Sequence, residues 1–143
     1  ATLVSKEDLF AVADVLSIHV RLSERTRGLV TRHDLALMKP SAYLVNTSRG
    51  PIIDETALID VLRRKAIAGA ALDVFDEEPL PLDHPLRHMD NTVITPHLGY
   101  VTTESYRAMY GEAAEDIQGF LSGRFIRIVN PGVVERPNLR RLG

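Results

Sequence analysis

Three short stretches of this chain carry side chains suited to acid–base and anion chemistry. His97 sits in Thr95-Pro96-His97-Leu98-Gly99, after an apolar run and between residues that restrict the backbone. An unperturbed imidazole titrates near about 6.5, which suits proton exchange at neutral pH. Such a histidine needs a carboxylate to orient it, and Asp76-Glu77-Glu78-Pro79 offers three, with Glu78 held by the proline after it. Arg49, in Thr47-Ser48-Arg49-Gly50-Pro51, brings a planar fork that can bind a carboxylate bidentately or polarise a carbonyl. An acid, its orienter and an anion anchor are together the equipment for working on a 2-oxo or 2-hydroxy acid. One histidine, one acidic loop and one arginine occur on most domains of this size, so the trio needs elements that bring it together.

The periodicity supplies them. Ser5 caps a helix over residues 6–13, and Val15-Leu16-Ser17-Ile18-His19-Val20 has the β-branched, apolar character of a buried strand. Residues 23–28 read as a polar loop or single turn, and Thr31 caps a short helix over 33–38, stopped by Pro40. Leu44-Val45-Asn46 is a central strand leading into the Arg49 turn. Asp54 then caps a helix over 55–65, with Ala57, Leu58, Val61 and Leu62 at helical spacing. Residues 67–74 form a small-residue strand, 75–89 an acidic, proline-rich loop, and 92–95 a last short strand. A long helix over 103–121 steps its apolar residues Tyr106, Met109, Tyr110, Ala113, Ala114, Ile117, Phe120 and Leu121 by three and four, and Gly123 ends it. The tail after Asn130 reads as loosely ordered.

Strands alternating with helices predict an α/β fold: a Rossmann-like parallel sheet with flanking helices on both faces, followed by the long helix. Right-handed crossovers place every strand's carboxyl end on one side. That rim collects His19, the Thr47-Ser48-Arg49 turn, Asp73 with the acidic loop, and His97.

The composition narrows the setting. The chain has 143 residues, enough for one domain with a core, and a formal charge of -2 without a long basic run. Nucleic acid and anionic membrane surfaces gain no support from that balance. There are no cysteines, which excludes disulfides, thiolate metal sites and a cysteine nucleophile and fits a cytoplasmic setting. The first residues are unlike a signal peptide, and no apolar run approaches the roughly 20 residues that span a bilayer. His84 and His88 are four apart, but Pro85 between them and the lack of a third neighbouring ligand argue against a metal site. His33 reads as a solvated helix residue, Asp76 and Glu77 as loop charges, and Arg63-Arg64-Lys65 as a charge cluster on a helix C-terminus.

Four motifs in order carry a resemblance: Ser17-Ile18-His19-Val20 with Thr26 following; Met38-Lys39-Pro40 and then Val45-Asn46-Thr47-Ser48-Arg49-Gly50; Ala71-Leu72-Asp73-Val74-Phe75 and then Glu77-Glu78-Pro79; and Thr95-Pro96-His97-Leu98-Gly99. The chain resembles the C-terminal half of the D-isomer-specific 2-hydroxyacid dehydrogenases, over roughly residues 2–130. The resemblance implies a hydride transfer between NAD (or NADP) and a small 2-hydroxy or 2-oxo acid. By the same resemblance Arg49 binds the substrate carboxylate and carbonyl, His97 is the acid/base, and Glu78 pairs with His97. Asp73 would hold the nicotinamide carboxamide, and Gly99 would give backbone room beside it. His19, Val20, Arg21, Thr26, Thr47 and Ser48 would line the cofactor cleft, with Arg49 and His97 at its inner end. His19 reads equally well as a strand-end histidine bonded to its neighbours.

The match divides the chain into residues 1–100, the C-terminal portion of an NAD-binding domain; 101–130, a helix and strand returning to a substrate domain; and a tail, 131–143. Arg21 stands where the family usually has proline, and Tyr100 where many members have a second glycine. No G-x-G-x-x-G occurs in the sequence, and this pyrophosphate motif lies upstream in the family. The expectation is a truncated chain that binds NAD weakly or not at all and turns over nothing by itself. The full-length protein would be a homodimer, and a bare apolar face on the long helix would favour self-association. The other function class compatible with these motifs is a corepressor-like module that senses dinucleotide without catalysis.

Overall fold

A computed structural model describes residues 1–135. The chain divides into two compact units, Ala1–Gly99 and a second beginning at Tyr100. In the first unit the elements run α1 (Lys6–Val12), β1 (Val15–Ile18), α2 (Arg32–Leu37), β2 (Tyr43–Asn46), a 3-10 turn (Gly50–Ile52), α3 (Glu55–Arg63), β3 (Gly69–Leu72), a second 3-10 turn (Pro85–His88) and β4 (Thr92–Ile94). The strands form one parallel sheet in the order β1-β2-β3-β4.

Local chemistry explains where the helices start. The Ser5 hydroxyl accepts the Asp8 N–H, the Thr31 hydroxyl accepts the Asp34 N–H, and the Asp54 carboxylate accepts the Ala57 N–H, so each cap satisfies a backbone donor the helix cannot. Asp34 closes a full capping box at Thr31 and also pairs with Lys6 at 2.9 Å, which ties α1 to α2. Burial alone pushes the Asp34 carboxyl up. The Thr31 and Lys6 hydrogen bonds and the Lys6 charge outweigh that and hold it below the usual aspartate range.

The strands are shorter than their apolar runs. Residues 19–20, 67–68 and 73–74, expected in strands, lie beyond the strand ends, although the Ala68 and Asp73 N–H groups still donate to the Ala42 and Asn46 carbonyls at 3.0 Å. Burial alternates along β1 and β2, so Leu16, Ile18, Leu44 and Asn46 point into the core while their neighbours do not. The core face packs against Phe10, Leu35, Leu58, Val61 and Leu62 from the three helices.

The opposite face differs from the expectation of a sheet covered on both sides. Val15, Tyr43 and Val93 on that face are 63%, 53% and 67% exposed. The cause is topological. The strand order never reverses, and right-handed crossovers that all advance in one direction put α2 and α3 on the same side. A doubly wound sheet covers its second face only where the order turns back.

The second unit holds α4 (Thr103–Leu121), capped by the Thr102 hydroxyl, and a 3-10 turn at Pro131–Val133. Gly123 follows α4 in the left-handed region at φ 72°. Arg127 folds back on the helix to pair with Glu112, Glu115 and Asp116. Tyr106, Met109, Tyr110, Ile117, Phe120 and Leu121, which share the apolar stripe of this helix, are exposed. The expected loose tail lies, from residue 136 onward, outside the described residues. No helix among the described residues is long and apolar enough to cross a membrane.

One-sided cover makes a quantitative prediction. Leu58→Ala, which empties a fully buried site in α3, is expected to cost about 2–5 kcal/mol in urea unfolding. Val93→Thr, on the bare face, is expected to stay within about 0.5 kcal/mol. Equal losses for the two would show that the second face is packed.

Candidate functional site

The parallel register levels the strand ends. Ser17, Val45, Ala71 and Val93 lie in one row, and Ile18, Asn46, Leu72 and Ile94 in the next. The residues that follow each strand therefore leave the sheet at one edge, and all belong to the first unit.

After β2, Asn46 does work that sequence reasoning missed. Its buried side-chain amide donates to the Arg49 carbonyl at 3.0 Å, and its Oδ1 accepts the Ser48 N–H at 3.0 Å. The side chain thus closes the turn that presents Arg49. Its only sequence signal is an asparagine at the end of an apolar strand. The Ser48 hydroxyl donates to the Ile18 carbonyl at 3.2 Å, which ties this turn to the end of β1. Arg49 is exposed, and its guanidinium donates to the Ser48 carbonyl. Gly50 follows because nothing larger fits: a Cβ there would lie 2.0 Å from the Phe75 carbonyl carbon and 2.5 Å from the Asp76 nitrogen.

After β3, Asp73 is 6% exposed. Its Oδ1 accepts the Thr95 hydroxyl and, at 2.8 Å, the Leu98 N–H; its Oδ2 accepts the Gly99 N–H at 2.9 Å. Burial would push this carboxyl up, but those donors and the His97 charge outweigh it and hold it below the usual aspartate range. One carboxylate therefore shapes the whole turn at 95–99. Thr95, its hydroxyl partner, was not among the sequence-derived site residues. A Cβ on Gly99 would stand 3.3 Å from Asp73 Oδ2, tight against the carboxylate the turn wraps around.

That turn holds His97 at φ 58°, in the left-handed region a non-glycine residue seldom adopts. Its Nδ1 donates to Glu78 Oε2 at 2.7 Å, with both side chains about one-third exposed. Glu78 Oε1 accepts the Phe75 N–H at 3.0 Å. Desolvation raises the Glu78 carboxyl. The His97 and Phe75 hydrogen bonds and the His97 and Arg49 charges more than offset it, so the carboxyl lies below the ordinary glutamate range. A cavity of about 500 Å³ opens beside this pair, lined by Phe75, Leu80, Arg87, Ile94 and Pro96 as well as His97.

The residues expected to line a cofactor cleft lie mainly at the surface. His19, Val20, Arg21 and Thr47 are exposed, and His19 bonds the Ser17 hydroxyl at 2.8 Å through Nε2. The Thr26 hydroxyl donates to the Arg21 carbonyl at 2.7 Å and accepts the Ser23 N–H at 2.8 Å, so it orders the loop after β1. His84 turns to Glu55 at 3.3 Å.

Parallel strands, one-directional crossovers and a polar rim at the strand carboxyl ends define a Rossmann-like α/β domain. Within that class this chain belongs to the D-isomer specific 2-hydroxyacid dehydrogenases: the family's NAD binding domain matches residues 1–99. A glyoxylate reductase from Aeropyrum pernix is 46% identical over 132 residues, which cover 92% of this chain and 38% of that protein. The structure of a phosphoglycerate oxidoreductase from Vibrio cholerae superposes with a TM-score of 0.78 at 42% identity, covering 85% of this chain and 39% of that one. An NAD-complexed 2-hydroxyacid dehydrogenase from Lactobacillus delbrueckii gives a TM-score of 0.74 at 32% identity, over 88% of this chain and 42% of that one. The chain spans a little over a third of the length of the first curated relative.

Glu78 and Asp76, shifted in opposite directions, predict opposite pH signatures. Glu78 is depressed in the fold, so its stabilising contribution is present above the ordinary glutamate range and lost as pH falls through its folded value. Glu78→Gln is therefore expected to lower the melting temperature at neutral pH and to change it little in acid. Asp76 is raised, first by desolvation and then by the Glu55 charge, so its ionised form is penalised in the fold. Asp76→Asn is expected to raise the melting temperature at neutral pH, with the gain vanishing in acid. Melting curves at the two pH values check both signs.

Proposed function

We propose that this chain supplies the substrate-anchoring and proton-exchanging part of an NAD-dependent oxidoreductase that interconverts a D-2-hydroxy acid and a 2-oxo acid. The observation that carries the reading is the 2.7 Å contact between His97 Nδ1 and Glu78, on two loops that leave the sheet at the same edge as the Arg49 turn. With Nδ1 committed to a carboxylate, the imidazole is oriented to pass a proton through Nε2. Arg49 binds the substrate carboxylate through its fork and polarises the neighbouring carbonyl.

The donor set suits the nicotinamide end of the cofactor. Among the described residues Asp73 Oδ2 accepts only the Gly99 N–H, so it retains capacity for one more donor, such as a carboxamide. Gly99 adds no side chain beside it, and Thr47, Ser48 and Thr26 bring hydroxyl groups to the same edge as His19, Val20 and Arg21. When bound, NAD accepts or supplies the hydride. The protein residues then hold the acid, move the proton at His97 and keep the substrate carboxylate on Arg49. The second unit, from Tyr100 onward, would belong with a substrate domain.

Two measurements test this reading. In an enzyme containing this chain, consumption of NADH is followed with a panel of 2-oxo acids. His97→Gln is expected to lower kcat by about 10²–10⁴-fold, and Arg49→Gln to weaken substrate binding. NADH binding without consumption of any acid would instead mark a non-catalytic, dinucleotide-sensing module. The 143-residue chain contains no G-x-G-x-x-G. In calorimetry it is expected to bind NADH with Kd above about 100 μM, short of the roughly 5.5 kcal/mol that tighter binding requires. A lower Kd would relocate cofactor recognition into this chain.

A further inference from the structure

The loop that carries Glu78 is fastened to α3 by a contact with no part in the proposed chemistry. Glu55, the first residue of α3, accepts the Asp76 N–H at Oε2 and meets His84 Nε2 at Oε1, both at 3.3 Å. The Glu55 and His84 side chains are largely buried. His84 Nδ1 accepts the Leu86 N–H at 3.4 Å, so the proton lies on Nε2 and points at Glu55. One carboxylate thus grips the loop on either side of Glu78, at residues 76 and 84.

The same end of α3 follows directly from the Arg49 turn. Gly50 lies against the Phe75 carbonyl and the Asp76 nitrogen, and the Phe75 N–H donates to Glu78. A continuous set of contacts therefore runs from the turn bearing Arg49, through Glu55 and the backbone of residues 75–76, to the Glu78 carboxylate and His97.

The contact forms against an electrostatic cost. Asp76 is raised by desolvation first, then by the charge of Glu55, with Asp54 adding to it; Arg27 and His84 oppose them. The charges of Glu55 and Asp54 therefore oppose an ionised Asp76 beside the contact.

We propose that Glu55 and His84 are positioning residues, a clamp that sets the loop so that Glu78 meets His97 at a fixed separation from Arg49. The proposal rests on reading Arg49, Glu78 and His97 as the catalytic groups, yet the clamp's effect on Glu78 can be measured without turnover.

The test uses carboxyl-carbon and imidazole-nitrogen NMR on the 143-residue chain. In Glu55→Ala and His84→Ala, Glu78 is expected to titrate nearer the ordinary glutamate range, and the His97 Nδ1–H signal of the Glu78 hydrogen bond is expected to weaken. His84→Gln keeps a donor near the position of Nε2 and is expected to restore both. Phe10→Leu, a core change in α1 with a comparable loss in melting temperature, is expected to move neither. In an enzyme containing this chain, Glu55→Ala is expected to lower kcat by about tenfold or more with KM within about twofold.

Unchanged Glu78 titration in folded Glu55→Ala and His84→Ala chains would overturn the clamp, as would an equal change in Phe10→Leu. Should Glu55→Ala fail to fold, the His84→Ala and His84→Gln pair decides. If the NMR changes appear while the Arg49, Glu78 and His97 variants keep full turnover, the clamp stands and the functional reading falls.

Discussion

The candidate site depends on a single buried carboxylate. Asp73 leaves the core at the end of β3 and is met by the Thr95 hydroxyl and the Leu98 and Gly99 N–H groups. A buried charge is costly unless hydrogen bonds replace the water it has lost. Here the replacements all come from the turn after β4, so satisfying Asp73 and shaping that turn are one event. The left-handed backbone of His97 is uphill for a residue with a Cβ, by about 1–3 kcal/mol for such conformations in general. The three donors around Asp73 hold the backbone there against that tendency. Without them the imidazole would have no fixed relation to Glu78.

The sheet makes this arrangement possible by its register. Rows of paired residues end together at Ile18, Asn46, Leu72 and Ile94, and each strand releases a polar segment at the same edge. The tie from Ser48 to the Ile18 carbonyl and the one from Thr95 to Asp73 cross between strands at that edge. They add to backbone bonds that continue past the strand ends, from the Asp73 N–H to the Asn46 carbonyl and from the Thr95 N–H to the Leu72 carbonyl. The one-sided cover belongs to the same topology. Crossovers in one direction build a single helical layer, so one face of the sheet forms the core and the other keeps Val15, Tyr43 and Val93 in contact with solvent.

Much of this was legible from residue order. The caps at Ser5, Thr31 and Asp54, the helical stripe of α3 and the glycine after α4 are local signals, decided within a few residues of chain. The meeting of Arg49, Glu78 and His97 at one edge was legible as well, because handedness constrains parallel sheets so strongly. Other features were not. Asn46 looks like any strand-end residue until its amide is seen to close the Arg49 turn. The partners of Asp73 were out of reach too, because its sequence neighbours say nothing of residues 95–99. His84 reads as half of an unlikely metal pair, because its partner Glu55 lies 29 residues away. The expected second layer of helices also failed, since apolar strands look alike whether one or both faces are covered.

The amino-acid order by itself determined the class of fold, the family motifs and the side chains equipped for acid–base chemistry. Those follow from periodicity, turn chemistry and residue type, all of which act over short stretches of chain. Only the tertiary structure decided which donor each buried polar group takes, which face of the sheet is covered, and how Glu55 grips the loop beside Glu78. Those outcomes depend on groups distant in sequence and brought within hydrogen-bond reach. A buried carboxylate can be recognised from its residue type, but its partners are fixed only when the chain closes around it.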